Sequence, residues 1–286
     1  MAEKIYLNSL QDILKNGEFR ETRNSNTLSM FSIKLDFDIK NSFPLLTTKK
    51  MFSRGIIHEL LWFIKSDTNS KNLEENNVNI WKSNSSRTYL DDNDLSDYEE
   101  GDCGPIYGFQ WRHFNALYKG CDKNYEGYGI DQLQDCIELI KNNPFSRRII
   151  MSAWNPCQLK EMCLPPCHIS YQFYVSKDNY LSCILYQRSG DMFLGVPFNI
   201  ASVSLLVYII ANMTNKSPGN ISIIIADAHI YESHIDSVKI QLEREPYELP
   251  KLLIKNKHDN INNYKYEDFE IIDYKYHPRI KDKLIE

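Results

Sequence analysis

No CxxC pair, no GxGxxG turn and no GxxxxGK[ST] loop occurs in this sequence. Their absence removes a zinc ribbon, a Rossmann dinucleotide site and a P-loop as first readings. Charge of one sign is not in excess. With 33 Lys+Arg against 38 Asp+Glu in 286 residues the net charge is −5, so nonspecific nucleic-acid binding is disfavoured and any phosphate must be met by local cations. The longest mostly apolar run, 200–213, contains Ser202, Ser204 and Asn212 and falls short of the roughly 20 residues that span a bilayer, so it reads as a buried helix and no membrane is expected. The opening MAEKIYLNSL has no secretory-signal pattern, which sets the expectation of a cytoplasmic protein without separating cytoplasm from nucleus. Seven cysteines, an odd number in a chain large enough to build a core, predict reduced thiols. Cys157, Cys163 and Cys167 lie close together, but no second ligand pair follows at zinc spacing, and no metal is expected.

Neither a Pro/Gly/Ser-rich linker nor a 20–50-residue repeat divides the chain, which predicts a single domain over 1–286. Apolar residues of IYLNSLQDILKNG recur at helical spacing up to Gly17. The segment 28–37 alternates as a half-buried strand does, and a helix resumes near Arg54 with IIHELLWFIK. From 69 to 100 the chain is rich in Asn, Ser and Asp, predicting surface loop with short helices and a mobile tip, anchored by Ile80 and Trp81. DQLQDCIELIKNNP reads as an amphipathic helix halted before Pro144. RRIIMSAW, CHISYQFYV, YLSCILYQRS and ISIIIADAHIY read as strands around the apolar helix. Helices and strands that do not alternate regularly indicate an α+β fold.

Glu59 sits in a helix apolar on nearly every face, where a carboxylate must be paired, protonated or held at the rim. It is either a satisfied structural group or a carboxyl of raised pKa that moves protons. LPPCH puts Cys167 behind two prolines that restrict its backbone, which suits a nucleophile, though a buried inert thiol fits the same pattern. His168 alternates to the opposite face of a strand, so a papain-like dyad is disfavoured and activation must come from elsewhere. Arg147, Arg148 and Arg188 lie in segments that read as buried strands. There, forked guanidinium donors answer either a fixed anion or a structural salt bridge. Asn199 carries a donor and an acceptor, so it can read a nucleobase edge or cap a helix. Asp227, His229 and Tyr231 share one strand face, able to hold a ligand hydroxyl or to face solvent.

Taken together, FPLLTTKK (43–50), HELLWFI (58–64), GPIYGFQWRHF (104–114), DQL (131–133), SRRI (146–149), SAWNP (152–156), LPPCH (164–168), YQRSGDMFLGVPFNIA (186–201), DAHIY (227–231) and YHPRIK (276–281) resemble the thymidylate synthase family in order and over nearly the whole chain. The resemblance implies a single domain whose mixed β-sheet is packed with helices, one sheet face lying at a homodimer interface. It implies reductive methylation of dUMP to dTMP with 5,10-methylenetetrahydrofolate as cosubstrate, and no metal. Cys167 would add to C6 of the pyrimidine. Glu59 and Tyr107 would serve a proton network around O4. Arg188, Ser189 and Arg23 would meet the phosphate, with Arg147 and Arg148 reaching it from the neighbouring subunit. His168 and Gln187 would line the nucleotide and support the nucleophile, Asn199 would bind N3 and O4, and His229 and Tyr231 the deoxyribose hydroxyl. Asp191 would serve both ligands. The folate would meet Ile80, Trp81, Asp191, Leu194, Gly195 and Phe198, with Lys49 near its glutamate tail.

The chain departs from the family pattern in places. The phosphate loop, usually RTGTGT, appears as ETRNSNT (21–27), with Arg23 shifted by one residue. The last residue is Glu286 in place of a small apolar residue that closes over the ligands, and Ser32 and Ala226 replace common glycines. Other readings are a hydroxymethylase of the same fold, in which water finishes the reaction, a Cys167 hydrolase without an oriented base, and a silent homologue that binds nucleotide or RNA. Asn199 and Trp81 disfavour the hydroxymethylase, and no feature of the sequence points to RNA.

Overall fold

The computed structural model describes residues 3–22 and 25–282. Arg23 of the altered phosphate loop and the terminal Glu286 lie outside the described residues. The chain runs α1 (Glu3–Asn16), β1 (Glu18–Arg20), β2 (Thr27–Asp38), α2 (Ser53–Ile64), α3 (Lys71–Glu74), α4 (Arg87–Asp92), α5 (Tyr107–His113), α6 (Gln132–Asn142), β3 (Ile150–Ser152), β4 (His168–Val175), β5 (Tyr180–Asp191), α7 (Gly195–Thr214), β6 (Ser217–Tyr231), α8 (Ile235–Leu242), β7 (Lys251–Ile254) and β8 (Phe269–Ile272). Six strands form one sheet in the order β1-β2-β6-β5-β4-β3, and β7 pairs with β8 apart from it. Among the described residues only the β5–β6 pair of this sheet is parallel, so the sheet is mixed, as the family resemblance implies.

Local chemistry sets the element ends. The α1 helix stops at Gly17, whose amide donates to the Ile13 carbonyl at 2.8 Å and where a Cβ would lie 2.5 Å from that oxygen. Asp131 caps α6 by accepting from the Gln134 amide. The α7 helix is longer than the run 200–213 suggests. It spans 20 residues because Pro197 sits in the first turn, where its missing N–H costs nothing, and it ends at Asn215 in the left-handed conformation. It is long and apolar enough by composition to cross a membrane, yet most of it is buried inside the structure. Leu205, Leu206, Val207, Ile209 and Ile210 are fully enclosed against β5, β6 and the neighbouring helices, each worth roughly 1.5–3 kcal/mol of burial.

Helices α1, α6 and α7 pack against the sheet strands. Ile150, Tyr174, Ile184 and Tyr186, which recur at alternate positions on β3, β4 and β5, stay exposed. Pairing lapses at one level across several strands. Ser32 and Ala226 face each other unpaired between Phe31↔Asp227 and Ile33↔Ile225, Arg188 stands beside them in β5, and β4 shifts register between His168 and Ser170. Ser32 sits at φ 62°, a conformation that favours glycine, whereas Ala226 takes no positive φ.

The polar segment 69–100 folds into α3, α4 and a short 3-10 turn, and it returns through a bridge between Asn69 and Asp102. Trp81 anchors it by packing against Trp62 and Phe63 of α2. Gly108 lets α5 touch α2, since a Cβ there would meet the Phe63 carbonyl at 2.2 Å. That contact lays Tyr107 on Phe63, ring to ring at 4.8 Å, and brings α5 beside the helix that carries Glu59.

Candidate active site

Cys167 emerges from Pro165-Pro166 immediately before β4, and Arg188 holds this turn. Its Nε donates to the Pro166 carbonyl at 2.9 Å, its Nη2 to the Pro165 carbonyl at 2.8 Å, and its backbone amide to the Cys167 carbonyl at 2.9 Å. The Trp154 ring lies 5.7 Å below the guanidinium. On the other side, the Cys167 amide donates to the Tyr107 hydroxyl at 2.8 Å. Burial pushes the Cys167 thiol up, while the Arg188 charge and the Tyr107 hydroxyl pull it down and Asp191 opposes them, leaving it raised. The groups that pull this thiol down are thus a guanidinium and a phenol.

Glu59 accepts from the Trp81 indole at 2.8 Å. It faces the cleft but lies deep, and burial pushes its carboxyl up to about 7, which the indole N–H only partly offsets. Such a group exchanges protons near neutrality. His168 is buried against the Tyr171 hydroxyl at 2.8 Å and lies in hydrogen-bond contact with Asn199; burial pushes its imidazole down to about 4, so it stays neutral. Gln187 donates to the Asn199 side-chain oxygen at 3.0 Å and to the Ser189 carbonyl at 2.9 Å, while its own side-chain oxygen is buried with no partner among the described residues. Asn199 is the fifth residue of α7, inside the helix and not its cap. Its amide, held by Gln187 and His168, is pre-set to present a fixed donor–acceptor edge.

Asp191 ends β5 and organises the start of α7. Its Oδ1 accepts from the Phe193 and Leu194 amides at 2.9 and 3.2 Å, with the His234 ring 3.8 Å away. Burial raises this carboxyl, but His234 and the two amides outweigh it and hold it below the ordinary value. Leu194, Gly195, Phe198 and Ile80 are half-buried. On β6, Asp227 lies 3.3 Å from His229 and accepts from the Ser29 hydroxyl, and the His229 and Tyr231 rings meet at 5.0 Å. Burial on this face is graded: His229 is buried, whereas Asp227 and Tyr231 are half-buried, and burial pushes the Tyr231 hydroxyl up to about 12, so it remains a donor.

One expectation is corrected. Arg147 and Arg148 do not lie in a buried strand: β3 begins only at Ile150, and both side chains are exposed in the loop before it. Lys49, for which the resemblance implies a place near the folate's glutamate tail, is a buried cation. It is buried under α7, donates to the Phe193 carbonyl, lies over the Phe193 ring and is pushed by burial down to about 7. Glu3, which belongs to no motif, is buried and accepts from the amides and hydroxyls of both Thr47 and Thr48, fixing the turn that delivers Lys49. Trp154 and His234 were also missed; SAWNP and the second His after DAHIY were the available signals.

Among the described residues, no group of three or more His, Cys, Asp or Glu side chains is arranged to hold a metal ion. A family model described as thymidylate synthase matches residues 4–286. The chain is similar to a thymidylate synthase of Homo sapiens, 53% identical over 284 residues that cover 99% of this chain and 90% of that protein. It is 52% identical to a thymidylate synthase of Saccharomyces cerevisiae, over 99% of this chain and 96% of that protein. A bifunctional dihydrofolate reductase-thymidylate synthase 2 of Arabidopsis thaliana is 50% identical over 99% of this chain, which matches 50% of the longer protein.

Proposed function

The chain belongs to the thymidylate synthase family, and from that premise we infer that it methylates dUMP to dTMP with Cys167 as the covalent nucleophile. The observation that carries the assignment of Cys167 is its mounting: two prolines, both gripped by Arg188, and a phenol on its amide. Arg188 favours the thiolate by its charge and keeps donor capacity for a phosphate, since a guanidinium has five N–H groups. The thiolate adds to C6 of the uracil, and the electron pair moves toward O4 and makes C5 nucleophilic. Asn199 presents its amide to N3 and O4. The unpartnered Gln187 oxygen supports the same reading, because a buried acceptor in a site awaits a ligand donor.

Glu59, at a pKa of about 7, relays protons at the O4 side, and Tyr107 completes that relay. His229 and Tyr231 hold the sugar hydroxyl, and Ser189 and Arg23 the phosphate. The folate cosubstrate supplies the one-carbon unit and the hydride. Ile80, Trp81 and Phe198 form an apolar wall for it, while Asp191, set at the head of α7, accepts from its ring N–H groups. After C5 has taken the carbon and lost its proton, Cys167 is expelled and the thiolate regenerated.

The site is shared between two copies. Arg147 and Arg148 are exposed in the loop before β3, and Arg147 lines a surface cleft with Tyr174 and Ile184 of an uncovered sheet face. A second copy packed on that face buries it and receives the arginines. Incubation with dUMP and methylenetetrahydrofolate tests the whole reading. Dihydrofolate absorbance and dTMP should appear with the natural chain and be lost in Cys167→Ser. A 5-hydroxymethyl product without dihydrofolate, or full activity in Cys167→Ser, would reject it.

A further inference from the structure

Two cysteines outside the reaction meet beside the nucleophile's turn. Cys103 follows the polar insert and Cys163 opens the run Cys163-Leu164-Pro165-Pro166-Cys167. The Cys163 amide donates to the Cys103 carbonyl at 3.1 Å, and the two thiols are themselves in hydrogen-bond contact. Their segments touch as closely as backbones can: a Cβ on Gly104, at φ 73°, would meet the Glu161 carbonyl at 2.0 Å. The insert grips the same stretch through Tyr98, which donates to the Glu161 carbonyl at 2.9 Å, and Tyr89, which donates to the Cys163 carbonyl at 3.0 Å.

We propose that Cys103 and Cys163 are a redox-modifiable pair whose disulfide cross-links the polar insert to the Cys167 turn and slows turnover. Cys163 keeps the little exposure the pair has, while Cys103 has none. The Cys163 thiolate attacks a low-molecular-weight disulfide, one small thiol leaves, and a mixed disulfide remains on Cys163. The Cys103 sulfur, deprotonated as it attacks, displaces the second small thiol and closes the Sγ–Sγ bond. The protein loses two electrons and two protons, and the small disulfide is reduced to two thiols. Burial pushes the Cys103 thiol well up, so closure waits on local opening of the insert and is slow. A reducing compartment keeps the pair as thiols.

The consequence for catalysis comes from rigidity. Closing two touching thiols to a bond of about 2 Å draws together segments that have no slack left. From Cys163 the strain passes along a proline-stiffened run to Cys167, whose turn Arg188 fixes at Pro165 and Pro166.

The cross-link is read in Cys167→Ser, which retains six cysteines and removes the reactive one. The full-length protein is treated with glutathione disulfide or diamide, denatured, alkylated and mapped by mass. The expected result is one linked peptide pair, 103 with 163, and four alkylated cysteines. Six alkylated cysteines, or a different pairing, would overturn the proposal. Because mass is read without any turnover, this arm stands whether or not dUMP is the substrate. In the natural chain, oxidised with excess dUMP to shield Cys167, turnover should fall at least threefold and return with thiol reductant, whereas Cys163→Ala, active at the untreated level, should lose less than half that effect. A complete 103–163 cross-link with unchanged turnover would refute the effect on catalysis.

Discussion

Glu59→Gln should make the protein more stable at alkaline pH while disabling it. The carboxyl titrates at about 7 in the folded chain against an ordinary value of 4.5, because burial raises it more than the Trp81 indole lowers it. Below pH 4.5 both folded and unfolded chains hold the proton, and Glu59 contributes no pH-dependent penalty. Between 4.5 and 7 the unfolded chain releases its proton first, so folding is progressively opposed; above about 7 the penalty is constant. The full shift of about 2.5 units corresponds to roughly 3 kcal/mol, and because Glu59 faces an open cleft we expect about half of that. Glutamine keeps an oxygen for the Trp81 N–H but never ionises. Urea unfolding of both proteins at one fixed concentration, at pH 5 and pH 8, should show the variant gaining about 1 kcal/mol more at pH 8 than at pH 5, with turnover reduced by about 10²-fold or more. A difference between the proteins that does not change with pH, or a variant less stable at pH 8, would refute the burial argument.

Trp81→Phe removes the donor that holds Glu59 down, so the acidic limb of the turnover profile should move up by about one pH unit, read from initial rates between pH 5 and 9. Ser32→Gly relieves a side chain held at φ 62° and should raise stability by about 1 kcal/mol in chemical denaturation, with the active site untouched. Mixing inactive Cys167→Ser with inactive Arg147→Ala and allowing subunits to exchange should restore about a quarter of the natural activity. Half of the dimers are then mixed, and each carries one intact site of two. No recovery after confirmed exchange would sink the shared site.

Sequence pattern reaches furthest where one element decides the outcome. The 3.6-residue period of α1 and α6, the alternation of β2, and the shared face of Asp227, His229 and Tyr231 are local facts, and the structure has them where the pattern puts them. Cys167 was legible because prolines act on their own neighbours. Arg147 and Arg148 misled because they run directly into the β-branched pair Ile149 and Ile150, yet a ladder needs a partner, and β4 offers register only to Ile150, Met151 and Ser152. The burial of Lys49 is illegible for a related reason. Nothing within TTKK tells that the Phe193 carbonyl, far along the chain, receives the ammonium while Glu3 from α1 pins the two threonines.

The distribution of these errors has a physical cause. The proposed site residues are fixed by contacts from other segments: Arg188 on Pro165 and Pro166, Trp81 on Glu59, Tyr107 on Cys167, Gln187 on Asn199. Each contact sets a protonation state or an orientation that the residue would not have in water, and each joins elements distant in sequence. Side-chain identity at a motif therefore announces which groups are available, but their pKa values and directions belong to the packing. Arg188 makes the point most directly. In sequence it is a cation in a strand, whereas in the fold its Nε and Nη2 hold the carbonyls of the Pro165-Pro166 turn and its charge pulls the Cys167 thiol down against the effect of burial.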